Sequence, residues 1–245
     1  MRKELKVNFM SAIRKFLARC GSPLQARVRQ DLADVAALHR LRYCTELENY
    51  IPWTQYALRP SAVEAILNEI VIHQRRHVLE LGGGISSIYQ ASLLNRVGGK
   101  LVVIDHDQAW IDLLSGMLNR QGNLGSTVTL VHAPLKSQII ADRKYIYYAR
   151  EAVDLALDNS KFDVLLVDGP PSVSGQMSRY PALPVLHGFL EDDYVIFLDD
   201  TFRADEAATA KRWSQLFRLR MYEPERIGGF AILRPQNTRK NFQIV

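Results

Sequence analysis

The chain has 245 residues, of which 47% are apolar and 23% charged, and it carries a formal net charge of +5. Such a composition suits one sizeable domain with an extension and excludes both a globally disordered chain and two full domains. No apolar run approaches the roughly 18 residues of a membrane span. The start Met1-Arg2-Lys3-Glu4 lacks the apolar core of a secretion signal, and Cys20 and Cys44 form neither a disulfide framework nor a metal pair, so the expectation is a reduced, cytoplasmic protein.

The charge is concentrated at the start. Residues 1–43 hold ten Lys/Arg and three Asp/Glu, a local +7, which leaves the other 202 residues at −2. In chain order, Leu5, Phe9, Ile13, Phe16, Leu17 and Cys20 fall at helical spacing among basic residues, and Gly21-Ser22-Pro23 ends that helix. A second helix is expected over about Gln25–Glu46, and Tyr50-Ile51-Pro52-Trp53 breaks it. After Arg59-Pro60, Ser61 and Glu64 have capping-box spacing for a helix reaching about Gln74. Residues 1–59 thus read as a helical extension and 60–245 as the main domain.

From His77 the rhythm changes to short apolar strands alternating with helices. Strands are expected at His77–Leu81, Lys100–Ile104, Thr127–Val131, Phe162–Val167 and Tyr194–Leu198, with two closing strands near Leu219–Glu223 and Phe230–Leu233 joined through Gly228-Gly229. Helices are expected at Ser87–Asn95, Gln108–Leu118, Tyr180–Leu190 and Ala204–Leu216. Continuous apolar strands linked by helices predict a Rossmann-like, doubly wound α/β fold, a mostly parallel sheet with helices on both faces.

The chemistry begins at Val78-Leu79-Glu80-Leu81-Gly82-Gly83-Gly84-Ile85-Ser86-Ser87, a strand running into three glycines and then a helix. Glycines there let backbone approach a ligand closely. Asp105 ends the next strand, 21 residues after Gly84, where an acid of a nucleotide-binding fold accepts ribose hydroxyls; the plainer alternative is that it caps the following helix, as Asp107 also can. Ser87 breaks the G-x-G-x-x-G spacing, and Glu80 would repel a pyrophosphate while tolerating the cationic amino-acid part of S-adenosylmethionine.

Taken together, Glu80-x-Gly82-x-Gly84, Asp105, His132-Ala133-Pro134-Leu135, Asp168-Gly169-Pro170-Pro171 and Leu198-Asp199-Asp200 resemble class I S-adenosylmethionine-dependent methyltransferases. More narrowly, Asp168-Gly-Pro-Pro, Ser178-Arg179-Tyr180-Pro181-Ala182-Leu183 and Asp199-Asp200-Thr201 resemble a bacterial small-molecule or sugar O-methyltransferase branch related to catechol-type enzymes. The resemblance covers about residues 50–235 and implies a seven-stranded sheet. It implies that Glu80 and Gly82 meet the methionine part of the cofactor, Asp105 the ribose hydroxyls, and His132 and Ala133 the adenine edge, with Gly83, Gly84, Ser86 and His106 as further cofactor-binding candidates. It also implies Mg2+ held by Asp168, Asp199 and Asp200. Here the chain departs from the pattern, with Asp200 where Asn is usual and Pro171 where a basic Lys is usual; without the metal, these acids cap a helix and brace a loop.

With that Lys missing, His106 and His187 are the candidate bases, or Asp168 if no metal is bound, and Arg179 is the candidate for holding a polyhydroxyl or anionic acceptor, against the plainer reading of a solvated Arg at a helix start. The partner is expected to be a small-molecule hydroxyl compound. Two alternatives share the fold: an aminopropyltransferase, which lacks a second acid after Asp168 here, and a nucleic-acid methyltransferase, whose stacking aromatic is replaced by Ser172. A non-catalytic module is the third. The basic first helix either packs on the domain or a homodimer partner, or lies on an anionic inner-membrane surface. The membrane reading requires full-length protein to pellet with anionic liposomes while a chain starting at Ser22 stays in solution; equal pelleting leaves the packing reading.

Overall fold

The computed structural model describes residues 23–44, 51–120, 122, 125–238 and 244. The basic helix expected over residues 5–20 lies outside the described residues. Helix α1 (Pro23–Leu41) is followed by α2 (Pro60–Ile72), and then by β1 (His77–Leu81), α3 (Ile85–Val97), β2 (Lys100–Asp105), α4 (Gln108–Arg120) and β3 (Val128–His132). A hairpin comes next, β4 (Leu135–Ile140) and β5 (Arg143–Tyr148), with α5 (Arg150–Leu157) behind it. The chain closes with β6 (Phe162–Val167), α6 (Ala182–Leu186), β7 (Leu190–Asp199), α7 (Ala204–Leu216), β8 (Leu219–Tyr222) and β9 (Phe230–Pro235).

Seven strands form one sheet in the order β3-β2-β1-β6-β7-β9-β8. All neighbours from β3 to β7 pair in parallel, and β9 lies antiparallel between β7 and β8. The alternating side chains of each strand enter two separate cores. Val78, Val103 and Leu166 face α2, α3 and α4, while Leu79, Ile104 and Leu165 face α5, α6 and α7. Burial on both faces is why these strands read as unbroken apolar runs rather than alternating ones. The chain reverses direction across the sheet at β1, between β2 and β6, so a crevice opens beyond the carboxyl ends of these strands.

Several expectations change in detail. Ser61 does not cap α2, whose N-cap position is Arg59. Instead its N–H and hydroxyl both donate to Asp34 Oδ1, at 3.1 and 2.5 Å, and Arg40 pairs with Glu64. The would-be capping box therefore fastens α1 to α2. The helix expected over Tyr180–Leu190 is cut to α6 and a 3-10 turn, His187–Phe189, because Pro181 and Pro184 remove backbone donors. The hairpin and α5 were not expected. Among the described residues no helix is long and apolar enough to cross a membrane.

A buried ion cluster joins the first helix layer to the far side of the sheet. Glu69 of α2 accepts from Arg75 Nε at 2.8 Å, from both terminal nitrogens of Arg234 of β9, and shares a hydrogen bond with His73 Nδ1 at 2.8 Å. Glu69 and Arg234 are wholly buried and Arg75 nearly so. Burial opposes ionisation of Glu69, but bonds from Arg234, Arg75 and His73 hold its carboxyl below the usual range. Removing the carboxylate strands two buried guanidinium groups. Glu69→Ala should lower unfolding free energy by about 3–5 kcal/mol in urea titration, a loss typical of a broken buried pair.

Candidate functional site

The crevice is a cavity of about 980 Å3, at the upper end of the size range of small-molecule sites. Its floor is the glycine loop and the acids at the strand tips: Gly82, Gly83, Gly84, Ser86, Asp105, His106, Asp168, Asp199 and Asp200 line it. Its outer wall comes from the extension, through Gln30 and residues 52–59, and from Phe202 and Arg203 after β7.

Gly82 has φ +85°, and a side-chain carbon there would lie 2.8 Å from the Asp168 carbonyl oxygen. Only glycine fits, so β1 and β6 stay side by side to their tips. Glu80 lies one turn beneath the loop and is completely buried. It receives hydrogen bonds from Ser86, from Ser87 Oγ at 2.7 Å and from Gln90 Nε2 at 3.2 Å. Ser87 Oγ also accepts the Gly84 N–H at 3.0 Å. The resemblance implied direct contact between Glu80 and the cofactor; in the structure Glu80 shapes the loop and meets the cavity only through Ser86.

Asp105 Oδ2 accepts the Gly83 N–H at 2.9 Å and Oδ1 accepts that of Asp107 at 3.0 Å, with His106 Nδ1 at 3.1 Å from Oδ1. The helix cap belongs to Asp107, whose Oδ1 accepts from Trp110 N at 3.2 Å. Asp105 is thereby released from capping and fixed at the cavity edge. His132 Nε2 lies 3.1 Å from the His106 carbonyl, and the buried Ala133 donates its N–H to the Asp105 carbonyl at 2.8 Å. Both brace the Asp105 turn and neither lines the cavity.

Four aromatic residues also line the cavity. The Trp110 indole donates to Gly83 O at 2.6 Å and stands against the loop. Tyr148, brought in by the β4–β5 hairpin, is 1% exposed, lines the cavity and has a hydroxyl without a hydrogen-bond partner. Phe202 and Tyr56 stand largely exposed at the rim. An orphaned buried hydroxyl, a glycine cradle closed to any Cβ and a fixed acid at a strand tip are together what a nucleoside carrying a polar tail requires.

Asp168, Asp199 and Asp200 do converge, each offering an oxygen within 4.8 Å of the others. That donor set has the oxygen chemistry of a Mg2+ site. Arg179 occupies the same place. Its Nη2 donates to Asp168 Oδ1 at 3.1 Å, to the Asp168 carbonyl at 3.1 Å and to Asp200 Oδ2 at 2.8 Å, while Nη1 reaches the Asp199 carbonyl at 3.0 Å. Arg179 is 3% exposed and reaches the cavity wall, with its terminal nitrogens already bonded to these acids. Burial, followed by repulsion from Asp199, pushes the Asp168 carboxyl well up, with Arg179 opposing. Burial and then Asp200 push Asp199 up to about 6.

His187 is not brought to the site. It precedes β7 at the amino end of the sheet, where its ring is exposed and packs against Phe217 and Tyr194 at 4.9 and 5.9 Å between centroids. The short α6 carries the chain from the acid cluster back to that edge, and the neighbouring Gly188 carbonyl accepts from Lys161 Nζ at 2.6 Å, just before β6.

No family model matches the chain, and no curated protein matches it. Solved structures do. A methyltransferase of Podospora anserina bound to S-adenosylhomocysteine is 13% identical, with 84% of this chain and 88% of that one covered at a TM-score of 0.56. The O-methyltransferase TomG of Streptomyces achromogenes, involved in tomaymycin synthesis and in complex with S-adenosylmethionine, is 17% identical over 83% and 89% at 0.52. An O-methyltransferase of Bacillus cereus in complex with S-adenosylhomocysteine is 16% identical over 92% and 97% at 0.51.

Glu80 generates a pH test. Burial, opposed by the serine hydrogen bonds, lifts its carboxyl from 4.5 to about 7. The folded protein therefore holds a proton there that the unfolded chain releases, and this group's contribution to stability declines as pH rises through 4.5–7. Relative to Glu80→Gln, the wild type should lose on the order of 3 kcal/mol between pH 4.5 and 8 in urea unfolding. A constant difference across that range would place Glu80 in a more polar setting. With strand order, glycine loop and strand-tip acids in this arrangement, the chain has the fold of class I S-adenosylmethionine-dependent methyltransferases.

Proposed function

We propose that the chain is an S-adenosylmethionine-dependent O-methyltransferase acting on a hydroxyl of a small molecule. One observation carries the reading: a nucleoside-sized cradle and an anionic cluster lie at two ends of one cavity whose volume holds two ligands side by side. Asp105 takes the ribose hydroxyls with the oxygen lone pairs that the Gly83 and Asp107 amides leave unused. Gly82 and Ser86 meet the methionine part, Trp110 stands beside the nucleoside, and the unpartnered Tyr148 hydroxyl donates into the cavity at the Gly82–Gly169 contact.

The cofactor, when bound, supplies a methyl group on a sulfonium. The chain's own work is positioning, exclusion of water and removal of one proton. Were that methyl group passed to an acceptor hydroxyl, the chain's part would be to receive the hydroxyl proton on a carboxylate. Asp199 is the proton acceptor in this reading, because it lines the cavity and its carboxylate is left out of Arg179's hydrogen bonds. The small-molecule class is supported by the enclosing outer wall that Gln30, Tyr56, Phe202 and Arg203 form among the described residues. The single Asp168 before Gly-Pro-Pro supports methyl transfer over aminopropyl transfer.

Isothermal titration with S-adenosylmethionine and S-adenosylhomocysteine tests the reading. Micromolar affinity is expected, and Asp105→Ala should weaken it about tenfold or more through loss of a buried acceptor for two hydroxyls. Absence of binding by the wild type removes the methyltransferase function; unchanged affinity in the variant moves the ribose elsewhere.

A further inference from the structure

The acid cluster carries more charge than its burial permits, and the structure shows what balances it. Three carboxylates meet where β6 and β7 end, and the side chains of Asp168 and Asp200 are only 16% and 15% exposed. Asp200 adopts a left-handed backbone, φ 63°, which turns its side chain back toward the other two. Its Oδ2 then lies between two guanidinium groups, 2.8 Å from Arg179 Nη2 and 2.7 Å from Arg203 Nη1. A divalent ion drawing on these oxygens would need them at about 2.0–2.6 Å. A fixed guanidinium nitrogen already collects Asp168 Oδ1 and Asp200 Oδ2, along with the Asp168 carbonyl.

We propose that Arg179 is the built-in cation of this cluster and that the site works with it in place of a divalent metal. The assignment of the cluster to the acceptor end of the cavity rests on the methyl-transfer reading. Arg179 is a positioning residue: 3% exposed at the cavity wall, it fixes the acids' geometry and offsets their repulsion with terminal nitrogens already committed to them. Two differences from a metal follow. A guanidinium keeps its charge at every working pH, and it offers no open coordination position, so the acceptor hydroxyl is oriented by carboxylates instead of by an ion.

Mn2+ reports the difference through the paramagnetic resonance signal of the free ion, measured on the full chain. The wild type should leave millimolar Mn2+ unbound, and EDTA should leave its affinity for S-adenosylhomocysteine unchanged. Arg179→Met should uncover an acidic site that binds Mn2+ at least about tenfold more tightly than the wild type, with a depressed Tm that Mn2+ raises. Arg179→Lys, which keeps a charge in place, should bind none. Stoichiometric Mn2+ binding by the wild type that disappears in Asp199→Asn would overturn the proposal, as would a folded Arg179→Met without an Mn2+ site. If Arg179→Met does not fold, the wild type and Arg179→Lys decide between the outcomes. S-adenosylhomocysteine titrated into the same samples separates the two readings. Its failure to bind removes the methyltransferase function and leaves the cation assignment to the Mn2+ result.

Discussion

At the tip of β1 there is no room for a side chain. Gly82 sits against the backbone of Asp168 and Gly169, and Gly169 in turn lies beneath the Tyr148 hydroxyl, where a Cβ would stand 2.3 Å away. This crowding aligns the carboxyl ends of β2, β1, β6 and β7 along one edge. Because the strands end together, Asp105, Asp168, Asp199 and Asp200 reach the same cavity although 95 residues separate the first from the last. The glycine loop thus serves twice: it clears space for a ligand, and it sets the spacing of the acids on either side.

Those acids make the sheet edge electrostatically expensive, and the molecule handles the two ends differently. At the glycine-loop end, Asp105 is satisfied by backbone amides and Glu80 by hydroxyls, so neither depends on a counter-charge. At the other end, the carboxylates of Asp168 and Asp200 share guanidinium groups from the loop after β6 and the turn after β7. Amide and hydroxyl donors hold an anion in place with short, directional bonds, whereas a guanidinium contributes whole charge to several acids at once. Glu69 repeats the second solution deep in the core, with Arg75 and Arg234.

The sheet and the glycine loop were legible because their signals are local. Strands buried on both faces show as unbroken apolar runs, and β1 and β6 begin and end where the sequence places them. The β4–β5 hairpin carries a weaker signal. Its residues mix Lys, Gln, Arg and Tyr with isoleucine, and its turn is Ala141-Asp142, both at positive φ, with none of the Asn-Gly chemistry that announces such a turn. Without the hairpin, Tyr148 had no strand to place it at the cavity. The acids were identifiable as a group, since each ends a strand, but no local pattern says that Arg179, eleven residues past Asp168, folds back beneath them. His187 misled for the related reason that the length of α6, shortened by two prolines, decides which edge of the sheet it reaches.

The cavity's two walls come from different parts of the chain. The glycine-loop side is built mostly from the β1–β2 region, residues 82–110, whereas the outer wall combines Gln30 and residues 52–59, which precede the sheet, with Phe202, Arg203, Gly228 and Gly229, which follow its parallel part. Gln30 donates to the Glu225 carbonyl at 3.3 Å, so the outer wall is stitched across nearly the full length of the chain. Arg203 and Gly229 are tied to Asp200 and Thr201 at the end of β7, whereas residues 52–59 belong to neither the glycine loop nor the strand tips. Loop grafts confined to residues 52–59 are therefore the natural place to begin reshaping the cavity.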